Sequence, residues 1–231
     1  MNAWEIFYEQ FVTYEGYKVV LEGLLATIII AVCGLLIGFV IGSVLAVFKL
    51  LPPKHWYSKL LGTIANIYVA LFRGTPMVVQ LLLVHFVIFP AMNINISALA
   101  EAVIAFGMNS GAYICEIMRG GILSVDKGQM EAGRALGLSY VATMVRIVIP
   151  QAFKNVVPTL GNEFVALIKE TSVAGFIAVV DLTRAFQNMA NSSYEYIIPY
   201  IVLALFYLVL VLVITFIVRL IERRMRASDR R

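Results

Sequence analysis

The residues that could do chemistry here are charged and polar side chains set inside apolar sequence. GNEFVALIKETS places Asn162, Glu163, Lys169, Glu170, Thr171 and Ser172 within one helical stretch. Further up the chain, Asn109, Tyr113, Glu116 and Arg119 share a second. An ionisable group inside a membrane span is costly, faces the bundle interior or water, and marks a ligand or ion path. The chemistry on offer is therefore recognition and passage of a charged solute. Glu116 and Arg119 lie three apart, so they can also pair on one helix face and merely anchor it. Glu163 has an equally plain second reading, as the partner of Arg73 or Lys169 in a pair that holds helices together. His55 and His85 are thirty residues apart, and Cys33 and Cys115 sit in apolar helices with no Cys or His at ligand spacing. These point to no metal site and no disulfide framework, and the cysteines read as small buried hydrophobes.

The surrounding composition says where such residues must work. Of 231 residues, 61% are hydrophobic and only 14% charged, against roughly a quarter charged in a soluble domain. The apolar residues come in long blocks, the mark of an all-α integral membrane protein. Val19 to Phe48 carries a single charge, Glu22; at about 1.5 Å per residue it spans about 45 Å, beyond the roughly 30 Å hydrocarbon layer. The N-terminal MNAWEIFYEQFVTYEGYK is acidic and amphipathic, without the basic start of a cleavable signal peptide. Five spans fit best, near 19–48, 56–90, 97–118, 144–170 and 196–218. The second is interrupted at Arg73-Gly74-Thr75-Pro76, where a glycine and a pre-proline residue disfavour continuous helix. Pro52-Pro53 stops the first span and turns the chain into the second.

Charge orients these spans. Lys49, Lys54 and Lys59 fall in one loop; Arg119, Lys127, Arg134, Arg146 and Lys154 in another; Arg219, Arg223, Arg224, Arg226, Arg230 and Arg231 in the tail. The alternate side holds little beyond Lys18 and Arg184. The positive-inside rule puts the N-terminus outside and the C-terminus in the cytoplasm, as an odd number of spans requires. Trp4, Trp56, Tyr57, Tyr194, Tyr196 and Tyr200 lie near span ends and read as interfacial anchors. The tail ERRMRASDRR reads as a stop-transfer element facing anionic lipid, not a nucleic-acid arm. The organisation expected is an extracytoplasmic segment 1–18, a transmembrane domain 19–222 and a basic tail 223–231.

Between the third and fourth spans lies EAGRALGLSYVATMVRIVIPQA, a polar corner within about 123–150. Gln129 to Leu136 has good helix formers, and Gly137 stands where a left-handed residue would end the helix. Ser139 then sits at an N-cap position, and Pro150 would kink the base of the next span. Ala132, Ala135 and Leu136 fall on one face of a short helix that could dock into a groove on a cytoplasmic partner.

Glu131-Ala132-Gly133, three residues, Gly137, nine residues, then Ile147-Val148-Ile149-Pro150 resembles the EAA loop of permease subunits of bacterial ABC importers. Gly133 stands where that motif has alanine and Ile149 where it has leucine; the glycine should weaken the short helix by up to about 1 kcal/mol. FRGTPMVVQLLL, MNSGAYICEIMRGGI, IPQAFKNVVPTLGNEFVALIKETS and DLTRA narrow the resemblance to the polar amino acid branch, over nearly the whole chain. It implies the type I importer fold in a bacterial cytoplasmic membrane, and two permease subunits, identical or paralogous. It also implies a pair of ATPase subunits receiving the loop, and an extracytoplasmic solute-binding protein delivering the amino acid. Glu131, Ala132, Gly133, Arg134, Gly137 and Pro150 then become the ATPase-coupling residues. The chain has no G-x-x-x-x-G-K-[ST], so ATP and Mg2+ belong to the ATPase partner and no cofactor is expected here. An amino acid brings an ammonium and a carboxylate. Glu163 for the first, helped by Asn109, Asn162, Lys169, Thr171 and Ser172, makes the candidate substrate set. Pro158 and Gly161 would loosen the helix beside it. The alternatives, an ion-gradient transporter or channel subunit and a non-transporting scaffold, leave the polar corner without a task or without a motor.

Overall fold

A computed structural model describes residues 2–52 and 55–227. Pro53 and Lys54 of the expected turn, and Arg230 and Arg231 of the basic tail, lie outside the described residues. The described chain is helical. Short α1 (Ala3–Tyr8), closed by a capping box between Asn2 and Glu5, and a π-helical turn over Glu9–Thr13 lead into α2 (Gly16–Leu50). Next come α3 (Trp56–Gly74), α4 (Met77–Leu83), a π turn over Val84–Ile88, and α5 (Phe89–Ala91). Then α6 (Ala98–Leu123) is followed by α7 (Lys127–Ala135), α8 (Tyr140–Thr143) and a third π turn, Met144–Val148. The chain finishes with α9 (Ile149–Glu170), a 3-10 turn over Thr171–Ile177, α10 (Leu182–Ser193) and α11 (Ile197–Ala227).

Among the described residues three helices, α2, α6 and α11, are long and apolar enough to cross a membrane. The α3 and α4–α5 pair qualifies as a fourth crossing, bent by 107° at the Gly74–Pro76 break. The α9 helix matches the expected fourth span in length but not in apolarity, because one side carries Asn155, Thr159, Asn162, Glu163, Lys169 and Glu170. A helix polar on one side is unsuited to lipid all round and belongs against other helices. There it packs, between α6 and α11 and antiparallel to both: Asn155 meets Ser124, Glu163 meets Ser110, and Gly161 lies under Val218.

The core is a parallel pair, α2 against α6, made possible by a seam of glycines. Gly34, Gly38 and Gly42 repeat every four residues and are all buried on the α6 side. A Cβ added to Gly38 would sit 2.7 Å from the Ser110 Cβ; one on Gly42 would sit 2.8 Å from the Cys115 N and the Gly111 O. Small residues at this spacing let two membrane helices approach backbone to backbone. Around the seam Ile30, Ala31, Phe106, Leu167 and Ile168 form the main buried cluster. Val20, Leu182, Phe186 and Leu203 close a second at the α10 end, with Phe7 of α1 packed in. The N-terminal segment is thus attached to the bundle rather than trailing from it.

The α9 helix runs unbroken through Pro158, and Gly161 makes room for Val218, whose Cγ1 a Cβ there would meet at 2.3 Å. Pro150 lies inside one continuous helix from Tyr140 to Glu170, where its missing N–H removes an intrahelical bond, directly after the π turn in which the hydrogen-bond pattern shifts.

Candidate functional site

A cavity of about 550 Å³ opens between α3, α6 and α9. Arg73, in the last turn of α3, lines it, as do Tyr113 and Glu116 from α6 and Asn155 and Thr159 from α9. The Arg73 guanidinium lies 5.3 Å from the Tyr113 ring centroid, within cation-π range. Arg73 is exposed and makes no salt bridge among the described residues. The carboxylate of Glu116 is committed on both oxygens, to Lys49 of α2 and to Arg119, whose Nη2 donates at 2.8 Å. The α6 ion pair read from the sequence is therefore part of a three-membered cluster, and it ties α6 to α2.

Glu163 lies one helical turn beyond Thr159 on α9, past the lining of this cavity, and is half-buried. Its Oε1 accepts from the Ser110 hydroxyl at 3.2 Å. It has no salt bridge to Arg73 or to Lys169 among the described residues. Asn109, next to Ser110, is buried; its amide donates to the Met77 Sδ at 3.2 Å, and its Oδ1 is left without a protein partner. Arg73 thus lines the open cavity, Glu163 lies one turn past it against Ser110, and the Asn109 Oδ1 is enclosed in the protein beside Met77.

The other expected residues are elsewhere. Asn162 is exposed. Thr171 is fully buried and spends its hydroxyl on the Ile168 carbonyl at 2.7 Å. Lys169 and Ser172 line a second cavity of about 320 Å³ with Thr183, Tyr200 and Tyr207. The structure therefore places Glu163 one turn past the cavity, Asn109 buried beside Met77, and Lys169, Thr171 and Ser172 away from it. Conversely Arg73, Asn155 and Thr159 were not in the expected set. Their signal was available: Asn155, Thr159 and Glu163 recur every four residues on one helix face, opposite Tyr113 and Glu116.

The polar corner is built as its residue types dictate. Asp126 caps α7, its Oδ1 accepting from the Gly128 N at 2.6 Å. At the other end Gly137 adopts φ +83°, with its N–H bonded to the Arg134 O and the Leu138 N–H to the Gly133 O, the paired bonds of a Schellman motif. Ser139 then caps α8 through the Ala142 N. Ala132, Ala135 and Leu136 are exposed, Leu136 at 83%, beside the exposed Glu131 and Arg134. Gly133 is buried instead, and a Cβ there would lie 2.5 Å from the Thr143 Cγ2. The glycine that costs helix propensity thus lets α7 close on the following turn. Replacing Gly137 by valine forces a branched residue into left-handed backbone, at about 1–2 kcal/mol. The expected outcome is faster amide hydrogen exchange across Lys127–Leu138 with the spans unchanged; unaltered exchange there would show that the turn does not hold α7.

Comparison with known proteins follows this geometry. The family model described as "Binding-protein-dependent transport system inner membrane component" matches residues 38–227. The arginine transport system permease protein ArtQ of Bacillus subtilis is 39% identical over 212 residues, covering 91% of this chain and 94% of the relative. The glutamine transport system permease protein GlnP of Escherichia coli is 38% identical over 214 residues, covering 92% and 95%. A crystal structure of an amino acid ABC transporter with histidines superposes with a TM-score of 0.83 at 36% identity, over 92% of this chain and 96% of that one. The MetNI methionine ABC transporter, at 20% identity and a TM-score of 0.76, shares the fold. With residues 38–227 matched by the family model and relatives such as ArtQ covered over nearly their whole length, this chain belongs to the binding-protein-dependent transport system inner membrane components, the membrane permeases of ABC importers.

Proposed function

We infer that this chain is the permease subunit of an ATP-driven importer that carries a polar amino acid across the bacterial cytoplasmic membrane. The observation that supports the substrate class is the pair of unmatched charges on one polar groove, Arg73 and Glu163. An amino acid zwitterion supplies a carboxylate to the first and an ammonium to the second. The relatives named for arginine and glutamine agree with it. The basic residues around α7 and in the tail support a cytoplasmic location for that end of the bundle and an outside N-terminus, with α9 as a fifth crossing beside the three apolar helices and the bent pair. The exposed face of α7, with Glu131, Ala132, Arg134 and Leu136, then docks on a separate ATPase pair that binds ATP and Mg2+. A second permease subunit, identical or paralogous, covers the polar side of α9. An extracytoplasmic solute-binding protein delivers the substrate. Closure of the ATPases moves α7, and the compact Gly133 contact with Thr143 passes that movement to α9. The groove turns outward to load and, after hydrolysis, inward to release.

Proteoliposomes holding the complete transporter test this. Glu163→Gln keeps the shape and removes the charge, so one charge-assisted contact to the ammonium is lost, about 1.5–3 kcal/mol. The Michaelis constant for uptake is expected to rise at least about tenfold while the ATPase still copurifies. Wild-type uptake at both saturating and subsaturating substrate would remove Glu163 from the site. Uptake by vesicles lacking any ATPase subunit would overturn the ATP-driven reading as a whole.

A further inference from the structure

The break at the end of α3 creates a physical problem. A helix that stops leaves its last carbonyls without N–H partners, and inside a bilayer no water satisfies them. Here the chain turns by 107° between Gly74 and Met77, at the very point where Arg73 enters the groove. Two side chains take up the freed carbonyls. The Thr75 hydroxyl donates to the Leu71 O at 2.8 Å. The Gln80 amide, from the first turn of α4, reaches back across the bend. Its Nε2 lies 2.8 Å from the Phe72 O, 3.0 Å from the Thr75 O and 2.8 Å from the Thr75 Oγ1. Two amide protons are shared among three acceptors, and those acceptors flank Arg73 on both sides in sequence.

Gln80 is 6% exposed, so these bonds compete with no solvent. Its Oε1 has no protein partner, which makes donation from Nε2 the whole of its polar work. A glutamine buried with half its amide unmet is expensive, and a residue chosen only to fill space would be leucine or methionine. Arg73, by contrast, is exposed, and its guanidinium lies over the Tyr113 ring with no salt bridge among the described residues. The backbone on either side is what fixes the origin of its side chain. The same α4 also carries Met77, whose sulfur accepts from Asn109, so the clasp and the Asn109 contact belong to one rigid turn.

We propose that Gln80 is a positioning residue for transport: its amide clasps the broken end of α3 to α4 and so holds Arg73 over the substrate groove. The proposal rests on reading Arg73 as the group that meets the substrate carboxylate. Gln80 touches no substrate in it.

The test is a double-mutant cycle on uptake by the complete transporter in proteoliposomes. Gln80→Met keeps length and bulk but cannot donate. It is expected to raise the Michaelis constant about tenfold, with the maximal rate and the amount of inserted protein within about twofold of wild type. In an Arg73→Ala background the same change is expected to add nothing, because the group it positions is gone. A wild-type Michaelis constant for Gln80→Met, or a tenfold rise that persists undiminished on Arg73→Ala, overturns the clasp. Should Gln80→Met fail to insert, Thr75→Val, which removes one acceptor and the Leu71 bond, carries the test, with a smaller rise and the same non-additivity expected. An unchanged Michaelis constant in Arg73→Ala alone overturns the substrate reading; a raised one there beside a normal Gln80→Met and Thr75→Val overturns only the clasp.

Discussion

A leucine in place of Gly42 is expected to prevent this protein from accumulating in folded form. The atoms in its way, the Cys115 N, the Gly111 O and the Ile114 Cβ, are all 2.8 Å from where even a Cβ would go. Two of them are backbone and cannot rotate aside. Overpacking a core usually costs about 1–3 kcal/mol through rotamer shifts. Here the whole of α6 has to move off α2, and that separates the seam that both helices use to bury their backbones, so the cost belongs at or above the top of that range. The check is the yield of folded protein in detergent and the melting point of whatever is recovered, with Gly62→Leu as the control. Gly62 of α3 faces open space apart from the Phe48 O at 3.7 Å, so its substitution is expected to leave the melting point near wild type. If the two variants melt together, the seam is not what holds α2 to α6.

The second large effect is expected at Glu116. Its two oxygens answer Lys49 and Arg119, with only 14% of the Lys49 side chain and 19% of its own exposed to solvent. Glu116→Met strands a cation in each direction. Removing one partner of a fully buried pair costs about 3–5 kcal/mol. Arg119 is 36% exposed and can extend its head toward the interface, which brings the expected loss to about 2–3 kcal/mol. Lys49→Met added to Glu116→Met removes the stranded ammonium, and apolar replacement of a buried pair is often neutral or better. The double variant is therefore expected to melt above the single one. Equal melting points for the two would show that Lys49 is held by something other than Glu116.

Local rules carried the sequence reading furthest where the chain is short-range in its logic. Gly137 and Ser139 took the cap positions their side chains predict, because a left-handed C′ residue and an N-cap hydroxyl are decided within four residues. The long apolar helices were legible for the same reason. The Gly34-x-x-x-Gly38-x-x-x-Gly42 spacing was equally open to inspection and names the α6-facing side of α2 directly. What could not be read was anything set by pairing between distant segments. Lys49 is 67 residues from Glu116, and no periodicity announces that they meet. Lys169 and Ser172 were grouped with Glu163 by proximity in sequence, yet along a helix they turn toward a different cavity. At Pro158 a proline removes one hydrogen bond from a helix interior, and the helix continues past it.

The π turn at Met144–Val148 has a bearing on how this protein can change over evolutionary time. A π turn is an α-helical turn carrying one surplus residue. Deleting any one of those five would restore ordinary helix and rotate everything after it by about 100°. The turn toward the groove that Asn155, Thr159 and Glu163 now share would pass to their neighbours, and Glu163 would be swung toward lipid or a packed helix. Length in this segment is therefore constrained in its own right, beside the packing of Val148 and Ile147. Insertions and deletions, which loops absorb readily, are here the equivalent of turning a key by a quarter.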